Sequence, residues 1–501
     1  MRALSGYFLA GALASLALPP IGFVPALFFL AWPAYHLASA PNQRAALFIG
    51  TAMGLGWFVA STHWTAHSLL VGDAKYWYLL PVAAIGVPAI LTCFWSVAGA
   101  LAWQVARTRQ GRLLWLLAAL SLAEFGRGFI ATGFPWNAPG YAFSVSLASL
   151  QSASWFGLYG LNLFALGMAL APAFWKLDNR NLAIIAVIAP LMLTGAGLYR
   201  LASANDAASG NNVARGNNAA KTIRMVQPNI AQKDKWDRAQ RADNLAGLVS
   251  LSIGEKPVPQ LVIWPETAFT GFLDTNAGLL RETALAATPF DGHLITGILR
   301  VAGKNRLHNS AILIDGSGDV QAIYDKHHLV PFGEFAPFRD WLPFVDVIAG
   351  PVDFSPGGAH QLFDIPGYGL VQMSICYESI FPGAVIIGDT RPDMIINITN
   401  DGWFGRTLGP WQHLAQAQMR AVEEGMAMVR VANTGISAMF GPYGHMLGEI
   451  KHGERGAIDV AVPPPIAPPL FVPFRHVLFL LTLSICAILA WRLDVKATLR
   501  Q

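Results

Sequence analysis

Only three acidic residues, Asp73, Glu124 and Asp178, occur in the first 200 positions of this 501-residue chain. Nearly all the remaining carboxylates lie between about 205 and 460. That distribution divides the chain into a part that avoids water and a part that meets it. A bilayer core is about 30 Å thick, so a spanning helix needs roughly 20 apolar residues. Candidate spans fall near 4–19, 22–40, 45–63, 77–105, 112–130, 154–175 and 181–200, with an eighth at 474–492. The first two are short and are separated by Pro19-Pro20. Only 13% of residues are charged against 54% hydrophobic, which excludes a disordered chain and an ordinary cytosolic enzyme. A net charge of +4, spread along the chain, gives no footprint for nucleic acid.

Residues 1–20 read as an uncleaved first span rather than a signal peptide. Six further apolar segments follow, and no small-x-small site precedes a polar start. Orientation follows from Lys and Arg in the short loops. With the N-terminus inside, Arg2, Arg44, Arg107, Arg109, Arg112, Lys176, Arg180, Arg492, Lys496 and Arg500 are cytoplasmic. Lys75 and Arg127 face the other side. Seven spans then deliver residue 201 outside, and the eighth returns the C-terminus to the cytoplasm. The expected organisation is a membrane domain at 1–200, a flexible tether at 201–221, a water-facing domain at 222–462, and a Pro-rich exit with the last span and tail at 463–501.

The water-facing part alternates short apolar runs with helical stretches. Segments 223–227, 261–264, 293–299, 310–315, 370–376, 394–399, 428–433 and 436–441 read as strands. Their near-continuous apolar character implies sheets covered on both faces. Helices are expected near 238–253, 277–288 and 410–426. The fold class is a multi-pass α-helical membrane domain of about eight spans plus a layered α/β domain.

Three segment ends carry chemistry. Glu266 follows an apolar strand in Trp264-Pro265-Glu266-Thr267, where a side chain points into the cleft of an open α/β sheet. Lys326 stands beside His327 and His328, ahead of a Pro-Gly turn with Glu334 among aromatics. Cys376 ends another apolar strand and precedes Tyr377 and Glu378. Each has a plain alternative: a helix-terminal carboxylate, a charged surface loop, a core thiol. Cys93 and Cys486, inside spans, suit that core reading; Cys376 suits it less. Adjacent histidines seldom converge on one ion, and there is no zinc-type spacing, so no metal or cofactor is expected. Together the three groups make a nucleophile, a base and a cation for a tetrahedral oxyanion.

Glu266, Lys326 and Cys376, in that order, resemble the Glu-Lys-Cys triad of the nitrilase (carbon–nitrogen hydrolase) superfamily. The whole chain resembles the bacterial apolipoprotein N-acyltransferase family. The match includes Gly133-Phe134-Pro135-Trp136, WPET (264–267), HLVPFGEF (328–335), ICYE (375–378), TNDGWFG (399–405), GPWQH (409–413) and NTGIS (433–437). The resemblance implies an αββα sandwich for the extracytoplasmic domain. It makes Cys376 the nucleophile, Glu266 the general base and Lys326 the stabiliser of the oxyanion. Glu334, Tyr377, Glu378 and Trp236 become supporting or substrate-binding residues. It implies transfer of a phospholipid sn-1 acyl chain, preferably from phosphatidylethanolamine, to diacylglyceryl-modified apolipoproteins through a thioester, at the inner membrane. A membrane-bound amidase that transfers to water is the rival, since the same triad serves both. For Asp401 a turn role weighs equally with one at the site, and for His413 a structural hydrogen-bonding role is favoured. For Glu124 and Arg127 a helical ion pair is favoured over headgroup contact.

Overall fold

The computed structural model describes residues 2–71, 77–211, 221–254, 258–303, 306–337, 339, 352–358 and 361–499. Asp73, Lys75 and Arg500 of the charge pattern, and positions 212–220 of the expected tether, lie outside the described residues. Among the described residues, five helices are long and apolar enough to cross a membrane: Gln43–Leu70, Trp77–Val105, Ala153–Lys176, Arg180–Ala204 and Val477–Lys496. Two further candidate spans form shorter apolar helices, Ala3–Ala17 and Val24–Ala38. Pro19-Pro20 and Pro25 keep them from merging. The remaining candidate is the helix Arg109–Gly126, which carries Arg109, Arg112 and Glu124. Close packing depends on small residues. A Cβ on Gly11 would stand 2.0 Å from the Met53 carbonyl oxygen, and one on Gly56 1.9 Å from that of Phe8.

The tether expectation needs correcting at its start. The helix Arg180–Asn211 runs through the first half of the segment, where an alanine-rich run favours helix.

The polar part holds two sheets. Its strands are β1 (Thr222–Gln227), β2 (Leu261–Ile263), β3 (His293–Val301), β4 (Arg306–Ile314), β5 (Val320–Asp325), β6 (Asp353–Phe354), β7 (Phe363–Ile365), β8 (Gly369–Ile375), β9 (Met394–Thr399), β10 (Ala427–Ala432), β11 (Ser437–Phe440), β12 (Met446–Ile450) and β13 (Gly456–Ala461). One sheet runs β13-β1-β2-β3-β4-β5 with β6 beside β4; the other runs β12-β11-β10-β9-β8-β7. Alternation sorts side chains into layers. Met225 and Ile263 of the first sheet meet Met373, Ile396 and Val429 of the second in a shared core. Their neighbours Val226, Val262 and Trp264 pack instead under helices Arg241–Ile253 and Leu273–Ala287. On the far side, Ile395, Met428 and Ala438 pack under the helix Gly409–Glu424. The order is helix, sheet, sheet, helix. β1, β2 and β3 are parallel, as are β8, β9 and β10, so their C-terminal ends share one edge in each sheet. Glu266, Cys376 and Asp401 all follow such ends.

Candidate active site

Cys376 opens a short 3-10 turn, Cys376–Ile380, straight out of β8. Its φ of 51° lies in the left-handed region, which costs a residue with a Cβ about 1–2 kcal/mol. The turn is held in that shape from behind. The Cys376 carbonyl accepts from Ser379 Oγ at 3.1 Å and Asn397 Nδ2 at 3.3 Å, and His413 Nε2 stands 3.1 Å away. The thiol is buried, and burial, with the Glu266 charge, pushes it up to about 12 against the opposing pull of Lys326.

Glu266 and Lys326 reach the thiol's surroundings from the first sheet. Lys326 leaves β5, a strand not among those expected from the sequence. It is 1% exposed, and its Nζ donates to Glu334 Oε1 at 2.9 Å and lies 4.0 Å from Glu266 Oε1. Burial opposes its charge, but Glu334 and Glu266 outweigh burial and raise it above the ordinary lysine value. Asn309 Nδ2 donates to both carboxylates, at 2.7 Å to Glu266 and 3.0 Å to Glu334. Glu334 also accepts from the Val330 N–H at 2.9 Å. Burial raises Glu266 above the usual carboxylate range, against the pull of Lys326. The thiol and the carboxyl therefore sit in one dry site with a fixed ammonium, an arrangement able to pass a proton from sulfur to oxygen and to hold an oxyanion.

Glu378 points away from this group. Its carboxylate accepts from the backbone N–H groups of Ile375, His327 and His328 at 2.6, 2.7 and 3.0 Å, and from the Tyr324 hydroxyl at 2.9 Å. It ties the cysteine turn to the loop after Lys326. Tyr377 donates to the Gly133 carbonyl at 2.7 Å and packs in an aromatic cluster with Trp64, Trp136 and Phe381. Trp236 is 44% exposed, directly after the buried Lys235.

A carbon–nitrogen hydrolase model matches residues 222–466, and the model of the apolipoprotein N-acyltransferase N-terminal domain matches residues 10–171. An apolipoprotein N-acyltransferase of Rhodopseudomonas palustris is 36% identical over 497 aligned residues, covering 92% of this chain and 90% of the relative. That of Bradyrhizobium diazoefficiens is 35% identical, covering 96% and 93%. The chain belongs to the apolipoprotein N-acyltransferase family. Among solved structures, an amidase from Nesterenkonia sp. is similar at 21% identity and a TM-score of 0.37, covering 50% of this chain and 92% of that one.

In this member of the apolipoprotein N-acyltransferase family, several side chains to which the resemblance assigns no role also lie around the site. Lys235, in a run that reads as surface charge, is buried, and its Nζ donates to the Glu266 carbonyl at 2.9 Å. Asp401, His413 and Arg430 form a buried ionic group behind the cysteine turn. His413 Nδ1 lies 3.0 Å from Asp401 Oδ1, and Arg430 pairs with Asp401 Oδ2. His413 is thus a hydrogen-bonded brace, as its sequence context suggests. Arg430 was missed because it lies inside the apolar run MVRVAN.

Glu124 and Arg127 form a fully buried ion pair, with Arg127 Nε donating at 3.0 Å and Trp95 Nε1 donating to Glu124 at 2.8 Å. His328 stacks on Phe381 and contacts the Thr132 carbonyl. Among the described residues no cluster of three metal-ligating side chains occurs. Cys486 is buried, but Cys93 is exposed on its helix, so the core reading of Cys93 is corrected. An apolar helix with only one packed side leaves half its residues outward.

Proposed function

We propose that this membrane acyltransferase moves the sn-1 acyl chain of a phospholipid, preferably phosphatidylethanolamine, to the α-amine of the N-terminal diacylglyceryl-cysteine of apolipoproteins. The observation that carries the mechanism is the buried cation at the centre: Lys326 lies 2.9 Å from Glu334 and 4.0 Å from Glu266, beside a strained, buried cysteine.

Glu266 takes the Cys376 proton, and the thiolate attacks the ester carbonyl. Lys326 faces the developing oxyanion. As the tetrahedral intermediate collapses, the C–O bond breaks and Glu266 returns the proton to the leaving lysophospholipid oxygen. A thioester remains on Cys376. The acceptor α-amine then attacks this thioester and gives a proton to Glu266. Cys376 leaves as thiolate, is reprotonated, and the amide departs. Glu334 holds Lys326, Glu378 and Tyr377 hold the cysteine turn, and Trp236 stands at the mouth.

In this reading the chain crosses the bacterial inner membrane eight times, with both termini cytoplasmic and the domain at 222–462 periplasmic. The Lys and Arg bias of the short loops supports that orientation. So does the chemistry, because both substrates carry acyl chains held in the bilayer.

The test is to supply the purified protein with phospholipid labelled in its sn-1 chain and trap the intermediate. Label on Cys376, released by a diacylglyceryl-cysteine peptide, is the expected result. Absence of label on Cys376 sinks the mechanism, and release to water alone favours an amidase.

A further inference from the structure

The site holds two buried ammonium groups, and the mechanism above uses one. Lys235 closes the short helix Gln232–Lys235 and is 1% exposed. Its Nζ donates to the Glu266 carbonyl at 2.9 Å and to the Thr267 hydroxyl at 2.6 Å. At the other end of that helix, Asn400 Nδ2 donates to Gln232 Oε1 at 2.7 Å. The segment therefore lies from the end of β2 to the turn after β9, with Trp236 outside and Lys235 inside.

Burying an ammonium is costly, and one carbonyl with one hydroxyl compensates it poorly. An apolar side chain would fill the space at lower cost, so packing does not account for a lysine here. Charge does. Glu266 and Cys376 face Lys235. Cys376 also faces Lys326 and Asp401, the latter paired with Arg430 and His413. With both lysines charged, Glu266 and Glu334 are balanced while Cys376 is a thiol. When the proton moves to Glu266, the thiolate and Glu334 are balanced by the same two cations. Without Lys235 the site carries one uncompensated negative charge at both stages.

We propose that Lys235 is a positioning residue of this reaction, whose ammonium fixes the backbone at Glu266 and favours the thiolate of Cys376. The proposal rests on Cys376 as nucleophile and Glu266 as its base. The full-length protein is treated with iodoacetamide across pH 5–10, and alkylation of Cys376 is followed by peptide mass spectrometry. In Lys235→Met the rate at pH 7 should fall about tenfold, the effect of losing an opposite charge near the thiol. The gap to wild type should close above about pH 8, because burial lowers the Lys235 ammonium to about 8 despite Glu266 and Cys376. Lys235→Arg should restore the rate at pH 7. Lys235→Gln gives the same reading if the methionine variant does not fold. A rate at pH 7 equal to wild type in the neutral variant overturns the proposal, as does an equal fall in the arginine variant, which would make shape rather than charge decisive. Failure of wild-type Cys376 to react at any pH instead overturns the nucleophile assignment beneath it.

Discussion

Replacing Glu378 by glutamine tests whether this carboxylate holds the site together or serves substrate. Oε1 accepts from the His327 and His328 N–H groups and from the Tyr324 hydroxyl, and Oε2 accepts from Ile375 N–H at 2.6 Å. A glutamine can keep its oxygen on the first set. Its NH2 then faces the Ile375 N–H, donor to donor. Orphaning that buried N–H costs about 1–3 kcal/mol, and making the other bonds neutral removes roughly 1 kcal/mol each. Relief from burying a charge offsets part of this, leaving a net loss of about 2–4 kcal/mol. Domains of this size lose about 2–4 °C of Tm per kcal/mol. Thermal unfolding of the full chain in detergent should therefore drop by about 5–15 °C. Ile375 directly precedes the nucleophile, so acylation of Cys376 should also fall more than tenfold at temperatures where the variant is folded. Glu378→Ala leaves three backbone N–H groups unpaired, a loss comparable with the whole stability of a domain, and should not accumulate. A glutamine variant melting within 2 °C of wild type at full activity would refute the reasoning.

Cys376→Ser should abolish transfer, whereas Cys93→Ser should retain the wild-type rate, since Cys93 is exposed and its thiol bonds to the Ala89 carbonyl of its own helix. Breaking the buried Glu124–Arg127 pair by Glu124→Gln or Arg127→Leu should cost about 3–5 kcal/mol, and replacing both less, read as yield of folded protein. Burial alone would raise the Asp401 carboxyl, but Arg430 and His413 outweigh it and hold it down to about 2. A folded-state value below the unfolded one near 3.9 gives stability that is present above pH 4 and lost as pH falls through 2. This amounts to about 2.6 kcal/mol. Asp401→Asn should flatten the stability profile between pH 4 and 2, measured by urea unfolding.

What was legible in the sequence were segments whose local pattern has one solution. LVIW is apolar throughout and MIINIT mostly so because β2 and β9 are covered on both faces. β5 is missing from the strands expected from the sequence because VQAIYD is a half-exposed strand at a sheet end, with Gln321 exposed and Tyr324 buried. β12 and β13 stayed hidden for the same reason: MLGEI and GAIDVA bury little. β13 gains its place by pairing with β1, more than two hundred residues earlier. Glu266 and Cys376 stood out as candidates because a polar group closing an apolar run has few structural uses, and Lys326 because it stands beside two histidines ahead of a Pro-Gly turn. Lys235 was not, since KDKWD is indistinguishable from solvated charge until the Glu266 carbonyl is seen beside it. Glu378 was legible as a member of the site but not in its role, which depends on backbone donors from three separate positions.

The back wall of the site is built from the apolar helical half, and that bears on the chemistry. Tyr377, next to Cys376, bonds to Gly133, and Arg127 donates to the Trp136 carbonyl at 2.8 Å while paired with Glu124. Trp64 and Trp136 both donate to Gln412 Oε1, at 2.9 and 3.0 Å, and Gln412 adjoins the His413 that braces the Cys376 carbonyl. Leu158 N–H donates to Glu423 at the other end of the same helix, at 2.8 Å. These ties run from helices Arg109–Gly126 and Ala153–Lys176 to the cysteine turn through buried groups. A catalytic domain on a flexible leash would let its nucleophile wander in height, and an ester at the bilayer surface would meet it rarely. A domain fixed by buried hydrogen bonds holds Cys376 at one distance from the apolar helices. It also closes the rear of the site with aromatic rings, which in the proposed mechanism would keep water from the thioester. A substitution at Trp136 or Gln412 should therefore act on the proposed active site, although neither residue belongs to the proposed triad, and the isolated α/β domain would present Cys376 without the wall that shapes its turn.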